Sequence, residues 1–174
     1  MFKEKRDELL FCWNDLGNIQ EGRPNLGDSM SVIFYRLMQY SLRDVLIKRF
    51  DPEIAEEIYY ESGKKAGKEF CKNMLNKELD FNGFVADLQK KLKDHYVGIL
   101  KVEKADLEKL EMQLTVAEDL DCSGLPISEE TICTYDEGFI AGILEEYTGA
   151  AFNVKETDCW ATGARICRFK VTKK

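Results

Sequence analysis

Apolar residues recur at helical intervals through the first half of the chain and at alternate positions through much of the second, so the period changes once along the sequence. A first long helix is expected over residues 28–50. There Met30, Ile33, Phe34, Leu37, Met38, Ser41, Leu42, Val45 and Leu46 follow the spacing of one buried stripe. Asp51-Pro52 ends it and begins the next, because Asp51 can cap and Pro52 suits a first helical position whose N–H has no partner anyway. That second helix runs to about Asn76 with Ile54, Ile58, Ala66, Phe70 and Met74 inward, and it carries Gly63 and Gly67 on one face, where another element can approach closely. Asp80 caps a third helix with Phe81, Phe84, Val85, Leu88 and Leu92 inward. Upstream, residues 9–13 are a short apolar run with the look of a strand, followed by loop punctuation at Gly17, Gly22, Pro24 and Gly27.

Beyond residue 95 the alternation predicts strands over 96–102 and 110–116, a turn over 121–126, a helix over 129–147 stopped by Gly149, and two closing strands over 151–161 and 164–172 joined at Thr162-Gly163. Helices first and antiparallel strands later is the layout of an α+β domain, a helical layer packed on a twisted antiparallel sheet. With 174 residues and no linker or repeat, the chain reads as an N-terminal extension, 1–22, packed on one domain, 23–174.

Composition narrows the function classes. Hydrophobic residues make up 44% of the chain, which excludes disorder, and 32 acidic against 25 basic residues argue against a phosphate-binding footprint, so nucleic acid is not an expected partner. No run approaches the ~20 apolar residues of a membrane span, and the opening residues lack the apolar core of a secretory signal. A cytoplasmic location is the expectation. Six cysteines in a reducing compartment exceed what packing alone calls for.

Four of those cysteines fall near the C-terminal hairpin. Gly163 is equidistant from Cys159 and Cys167, so a turn there would place them opposite one another, close enough for a disulfide, simple packing or a shared metal ion. Glu156, three residues before Cys159, can bring a carboxylate to the same point. Zinc accepts thiolate and carboxylate in a tetrahedral set, and a fourth ligand would come from Cys133, at the start of the last helix, or Cys122, in the turn.

The segments Cys122-Ser123-Gly124-Leu125, Cys133, Gly138-Phe139-Ile140-Ala141-Gly142, Glu156-x-x-Cys159, Gly163 and Cys167-x-Phe169 resemble the 4-vinyl reductase domain family. Leu26-Gly27-Asp28 and Ser62-Gly63-Lys64-Lys65-Ala66-Gly67 agree, and the likeness extends over about residues 23–172. The family includes a protein linked to reduction of the 4-vinyl group in bacteriochlorophyll synthesis and phenol-binding sensor domains of transcription activators. Haem nitric-oxide sensors and vesicle-tethering subunits with a buried acyl chain are distant fold relatives. The resemblance implies a structural zinc held by Cys133, Glu156, Cys159 and Cys167. It also implies an apolar pocket between helices and sheet, for which Phe84, Met112, Phe139, Ile143 and Trp160 are candidate lining residues, and a homodimer.

The expected function is therefore a zinc-containing sensory or carrier module for a hydrophobic small molecule such as an aromatic, tetrapyrrole or lipid-like compound. The alternative is a subunit of a tetrapyrrole 4-vinyl reductase. Reduction needs an electron source, and the sequence has no G-x-G-x-x-G after a strand and no ferredoxin-like cysteine run, so turnover would require a partner. The phenol sensors' histidine and tryptophan have no match here. The single histidine, His95, lies at a helix–strand junction, a poor place for a haem ligand.

Overall fold

The structure is a computed structural model that describes residue 5 and residues 7–174; the remaining residues of the expected N-terminal extension lie outside the described residues. Four strands form an antiparallel sheet in the order β1-β2-β4-β3: β1 Ile99–Asp106, β2 Glu111–Ala117, β3 Phe152–Asp158 and β4 Cys167–Lys173. Leu100, Met112, Leu114, Val116, Phe152, Val154, Phe169 and Val171 are buried and form the core with residues of the helices. The expected α+β layout is the observed one. A short α1 (Ile19–Gly22) precedes the four longer helices: α2 Val32–Arg49, α3 Pro52–Met74, α4 Phe81–Asp94 and α5 Thr134–Thr148.

Local chemistry fixes the helix ends. Ser31, Asp51 and Asp80 accept hydrogen bonds from the N–H groups of Ile33, Ile54 and Gly83 at 3.3, 2.7 and 2.8 Å. Gly149 stops α5 in a left-handed conformation (φ 75°) that a side chain would disfavour. On α4 the expected residues Phe84, Leu88 and Leu92 are buried.

The middle of the molecule is the crossing of α3 and α5, which meet backbone to backbone. Gly63 and Gly67 on α3 lie against the carbonyl groups of Tyr135 and Phe139, while Gly138 and Gly142 on α5 lie against those of Tyr60 and Lys64. The close approach anticipated for Gly63 and Gly67 is thus real and is reciprocated by a second glycine pair. It also moves the buried stripe of α3 onto Ala55, Tyr59, Gly63, Gly67 and Cys71. The larger apolar residues expected inside, Ile58, Ala66, Phe70 and Met74, are only half-buried, and Ile54 is exposed.

The largest departure is α2. Its apolar stripe faces outward: Ile33, Phe34, Leu37 and Met38 are each more than 60% exposed, and Leu42 and Val45 are exposed as well. The inner face is polar. Tyr35 and Gln39 donate to the Asp121 carboxylate at 2.7 and 2.8 Å, Tyr40 donates to the Asp121 carbonyl at 2.6 Å, and Arg36 donates to the carbonyls of Leu120 and Ser123 at 2.8 and 2.9 Å. What α2 covers is the 119–123 loop, whose buried carboxylates and carbonyls require donors, so hydrogen bonding overrides the hydrophobic pattern.

The apolar run at residues 9–13 is not a strand; it leads into a 3-10 turn, Trp13–Leu16, tied to α3 by the Trp13 N–H donating to Glu69 Oε2 at 3.0 Å. Among the described residues no helix is long and apolar enough to cross a membrane.

Candidate metal centre and ligand cavity

Four separate pieces of chain deliver a sulfur to one buried point. Cys122 lies in the loop after β2, held there by Asp119, whose Oδ1 accepts the N–H groups of Asp121 and Cys122 at 2.9 and 3.0 Å. Cys133 is the N-cap of α5. Cys159 leaves the end of β3 and is the N-cap of a 3-10 turn, Trp160–Thr162, whose following residue Gly163 has φ 92°. Cys167 opens β4 opposite Val116. The hairpin tip is therefore a broad loop with a turn of helix in it, where a tight turn at Thr162-Gly163 was expected. It still brings Cys159 and Cys167 together.

The four cysteines are fully buried and their Sγ atoms all lie within 4.8 Å of one another. Cys133 Sγ is 3.8 Å from that of Cys159 and 3.9 Å from that of Cys167, while Cys122 and Cys167 approach to 3.0 Å. Bonds of about 2.3 Å to a tetrahedral zinc imply sulfur–sulfur edges of about 3.8 Å. Two edges have that length and the third closes to it with a small outward shift. A disulfide needs about 2.05 Å, and all four thiols are free. The set accordingly fits a single tetrahedral metal ion. Hydrogen bonds from Cys122, Cys133 and Cys167 hold the Cys159 thiol far below its ordinary range, while Cys133 and Cys167 are pushed far above theirs, first by their bonds with Cys122. The cluster thus stabilises sulfur in the thiolate form that binds metal.

Of the residues expected as ligands, Cys133, Cys159 and Cys167 stand in this cluster. Glu156 stands beside it. Its Oε2 accepts the Cys133 N–H at 3.1 Å, its backbone N–H donates to Glu137 Oε1 at 2.8 Å, and its buried Oε1 has no partner among the described residues. Burial, then the charge on Cys159, pushes its carboxyl up to about 8. The fourth sulfur is Cys122.

Next to the cluster, between α4, α5 and the sheet, lies an interior cavity of about 40 Å³. Leu88, Leu92, Leu100, Val116, Phe139 and Ile143 supply apolar walls, and Asp119 and Asp136 are its two acids. One oxygen of Asp119, one of Asp136 and the Cys133 sulfur lie within 4.8 Å of one another, so the acids meet beside the cysteine cluster. Burial raises the Asp136 carboxyl well above the usual carboxylate range, with the charges of Asp121 and Asp119 adding to it.

Phe139 and Ile143 line the cavity as expected. Phe84 is instead stacked on Tyr147 with ring centroids 3.7 Å apart, and Met112 is a core residue of β2 opposite Val171. Trp160 sits in the hairpin turn, donating from Nε1 to the Leu125 carbonyl at 3.2 Å beneath the Arg165 guanidinium. Asp119 and Asp136 are not among the expected residues. The signal for Asp136 is an acid one turn after Cys133, just ahead of a run that is mostly small and apolar.

A second, open groove of about 630 Å³ lies on the outer side of α3 and α5, bounded by Leu9, Phe11, Trp13, Ile58, Phe70 and Phe139.

Residues 112–173, which include all four cysteines of the cluster and the strands β2, β3 and β4, match the vinyl-4-reductase domain. An uncharacterized protein of Methanocaldococcus jannaschii is 34% identical over 116 residues, covering 67% of this chain and 64% of that protein, so the chain spans just under two-thirds of the length of this relative. A crystal structure of a vinyl-4-reductase family protein from the same organism superposes with a TM-score of 0.62 at 21% identity, covering 96% of this chain and 99% of the other. The phenol-responsive sensory domain of the transcription activator PoxR, solved with phenol, gives 0.62 at 15% identity, covering 76% and 71%. A trafficking protein particle complex subunit 3 from Naegleria fowleri, covalently bound to palmitic acid, gives 0.64 at 15% identity, covering 82% and 95%. At these identities the structures establish the common fold. The chain belongs to the vinyl-4-reductase domain family, through the segment that builds the cysteine cluster and the sheet behind it.

Proposed function

We propose that this protein is a small-molecule-binding module, a sensor or carrier for a hydrophobic ligand, built around a structural zinc ion held by Cys122, Cys133, Cys159 and Cys167. The observation that carries the reading is that the cysteine cluster and the interior cavity share their supports. Cys122 fixes the loop that presents Asp119, and Cys133 fixes the start of α5, from which Asp136, Phe139 and Ile143 reach the cavity. A closed four-sulfur site leaves no open coordination position, which suits a staple rather than a Lewis acid. Zinc there would hold the mouth of α5 against the β2 loop and the hairpin tip, keeping the cavity walls in place. Glu156 supports the set from outside by accepting the Cys133 N–H. This ligand set places Cys122 where the resemblance places Glu156.

The cavity as it stands takes a compact molecule; a tetrapyrrole or an acyl chain would have to part α4 from α5 or use the outer groove. A second copy of the chain is proposed to cover α2, whose outward apolar stripe from Ile33 to Val45 is more than scattered surface residues. Native mass spectrometry of the protein purified without added metal tests the core of the proposal. About one zinc per chain and a co-purifying or exchangeable apolar ligand are expected. A folded, metal-free chain that takes up no small apolar molecule would overturn it.

A further inference from the structure

The cavity beside the cysteine cluster has more acceptors than donors. Asp136 Oδ2 is shut off from solvent and has no hydrogen-bond partner among the described residues. Asp119, the other acid at that wall, uses one oxygen for the N–H groups of Asp121 and Cys122. The nearby donors are committed elsewhere. Tyr35 and Gln39 serve Asp121, Arg36 serves the carbonyls of Leu120 and Ser123, and Arg43 serves the Ile132 carbonyl and Glu56. Lys64 and Lys68 are paired with Glu145. No basic side chain among the described residues forms an ion pair with Asp119 or Asp136.

A buried carboxylate left in this condition is costly, and the missing element is a donor that enters with the ligand. The remaining walls are aliphatic and aromatic, so the rest of that ligand is apolar. We infer that the cavity recognises a compact organic amine, its ammonium group set between Asp136 and Asp119 and its hydrocarbon body against Leu88, Leu92, Phe139 and Ile143. An ammonium offers three donors and no lone pair, whereas a hydroxyl brings one donor together with lone pairs that would face two acids. The size is consistent with this. A water needs about 10–15 Å³ on this measure, so 40 Å³ corresponds to about three waters or a few heavy atoms. The inference rests on the small-molecule-binding reading and specifies the ligand for it.

The test uses the full chain as purified and two probes of equal heavy-atom count, n-butylamine and 1-butanol, followed by NMR shift perturbation and titration calorimetry. The amine should bind at least about tenfold more tightly than the alcohol, as expected when a hydrogen bond becomes charge-assisted. Asp136→Asn should abolish that preference while metal content and the far-UV spectrum stay unchanged. Asp136→Leu should raise the melting temperature of the ligand-free chain, because it removes an unpartnered buried acid; a merely structural role for Asp136 would lower it. Equal affinity for the two probes, or an amine preference that survives Asp136→Asn, would overturn the amine inference and leave the apolar cavity standing. If neither probe binds and a high-resolution structure shows ordered waters bridging Asp119 and Asp136, both the amine inference and the small-molecule reading of this cavity are lost.

Discussion

Gly67 of α3 lies so close to Phe139 of α5 that a Cβ added to the glycine would overlap the Phe139 carbonyl oxygen and stand 2.9 Å from its carbon. The obstacle is main chain, which cannot swing aside as a side-chain tip can. Gly67→Ala therefore has to push the two helices apart at their crossing, and Phe139, on the far helix, lines both the cavity and the outer groove. Overpacking of this kind costs about 1–3 kcal/mol where side chains can adjust and more where they cannot. A loss of about 3 kcal/mol or greater in urea unfolding is expected, with Gly142→Ala equivalent because it meets the Lys64 carbonyl in the same way. Gly124→Ala is the contrast. Its added methyl would meet nothing within 4 Å, so only the strain of its positive φ of 91° remains.

The ligand set is separable from its support by substitution. Alanine at Cys122, Cys133, Cys159 or Cys167 should reduce zinc to near zero by elemental analysis and destabilise the fold, since metal affinity and folding are linked. Glu156→Gln should keep about one zinc per chain, because the amide oxygen still accepts the Cys133 N–H. Zinc retained in Cys122→Ala but lost in Glu156→Gln would exchange their roles. Cys12→Ser and Cys71→Ser, remote from the cluster, should leave the metal untouched.

How much of this was legible in the sequence depended on which force set each position. Where a single apolar face meets a single core, as with Phe84, Leu88 and Leu92 on α4, periodicity located the inner face directly. The cysteine cluster was legible in three of its four sulfurs. Cys122 could not be chosen over Glu156 from spacing, because its position depends on the loop that Asp119 folds around it. On α3, Gly63 and Gly67 were visible as a small face, but small residues carry no hydrophobic signal, so Ile58 and Phe70 took the place that backbone contact actually occupies. On α2 the pattern pointed the wrong way. Periodicity finds an apolar stripe without saying what covers it, and the loop below needed donors from Tyr35, Arg36, Gln39 and Tyr40.

That exposed stripe makes the assembly testable. A second copy seated on Phe34, Leu37 and Met38 would bury three large side chains that are now more than 60% exposed. Leu37→Glu combined with Met38→Glu should convert a dimer to a monomer in multi-angle light scattering while sparing zinc content. The inner, polar face of α2 is unaffected by either change, so the helix should remain docked. A wild-type mass corresponding to one chain at micromolar concentration would refute the dimer.

Cys71 gives a pH dependence independent of the metal site. It is fully buried on α3, and burial, with a smaller contribution from Glu146, pushes its thiol up to about 11. In the unfolded chain a cysteine ionises near pH ~8.5. The folded state therefore holds its proton more tightly than the unfolded state does. The stabilisation is complete below about pH 8.5 and is lost progressively as pH rises toward 11, because ionisation then favours the unfolded chain. A fall of about 2 kcal/mol in unfolding free energy should accompany that climb. The Cys71→Ala variant, measured alongside wild type in the same buffers, starts from lower stability because of the cavity it creates but should show a fall smaller by about that amount. Identical slopes in the two proteins would assign the alkaline loss to the tyrosines, such as Tyr59 and Tyr60, whose hydroxyls burial also raises.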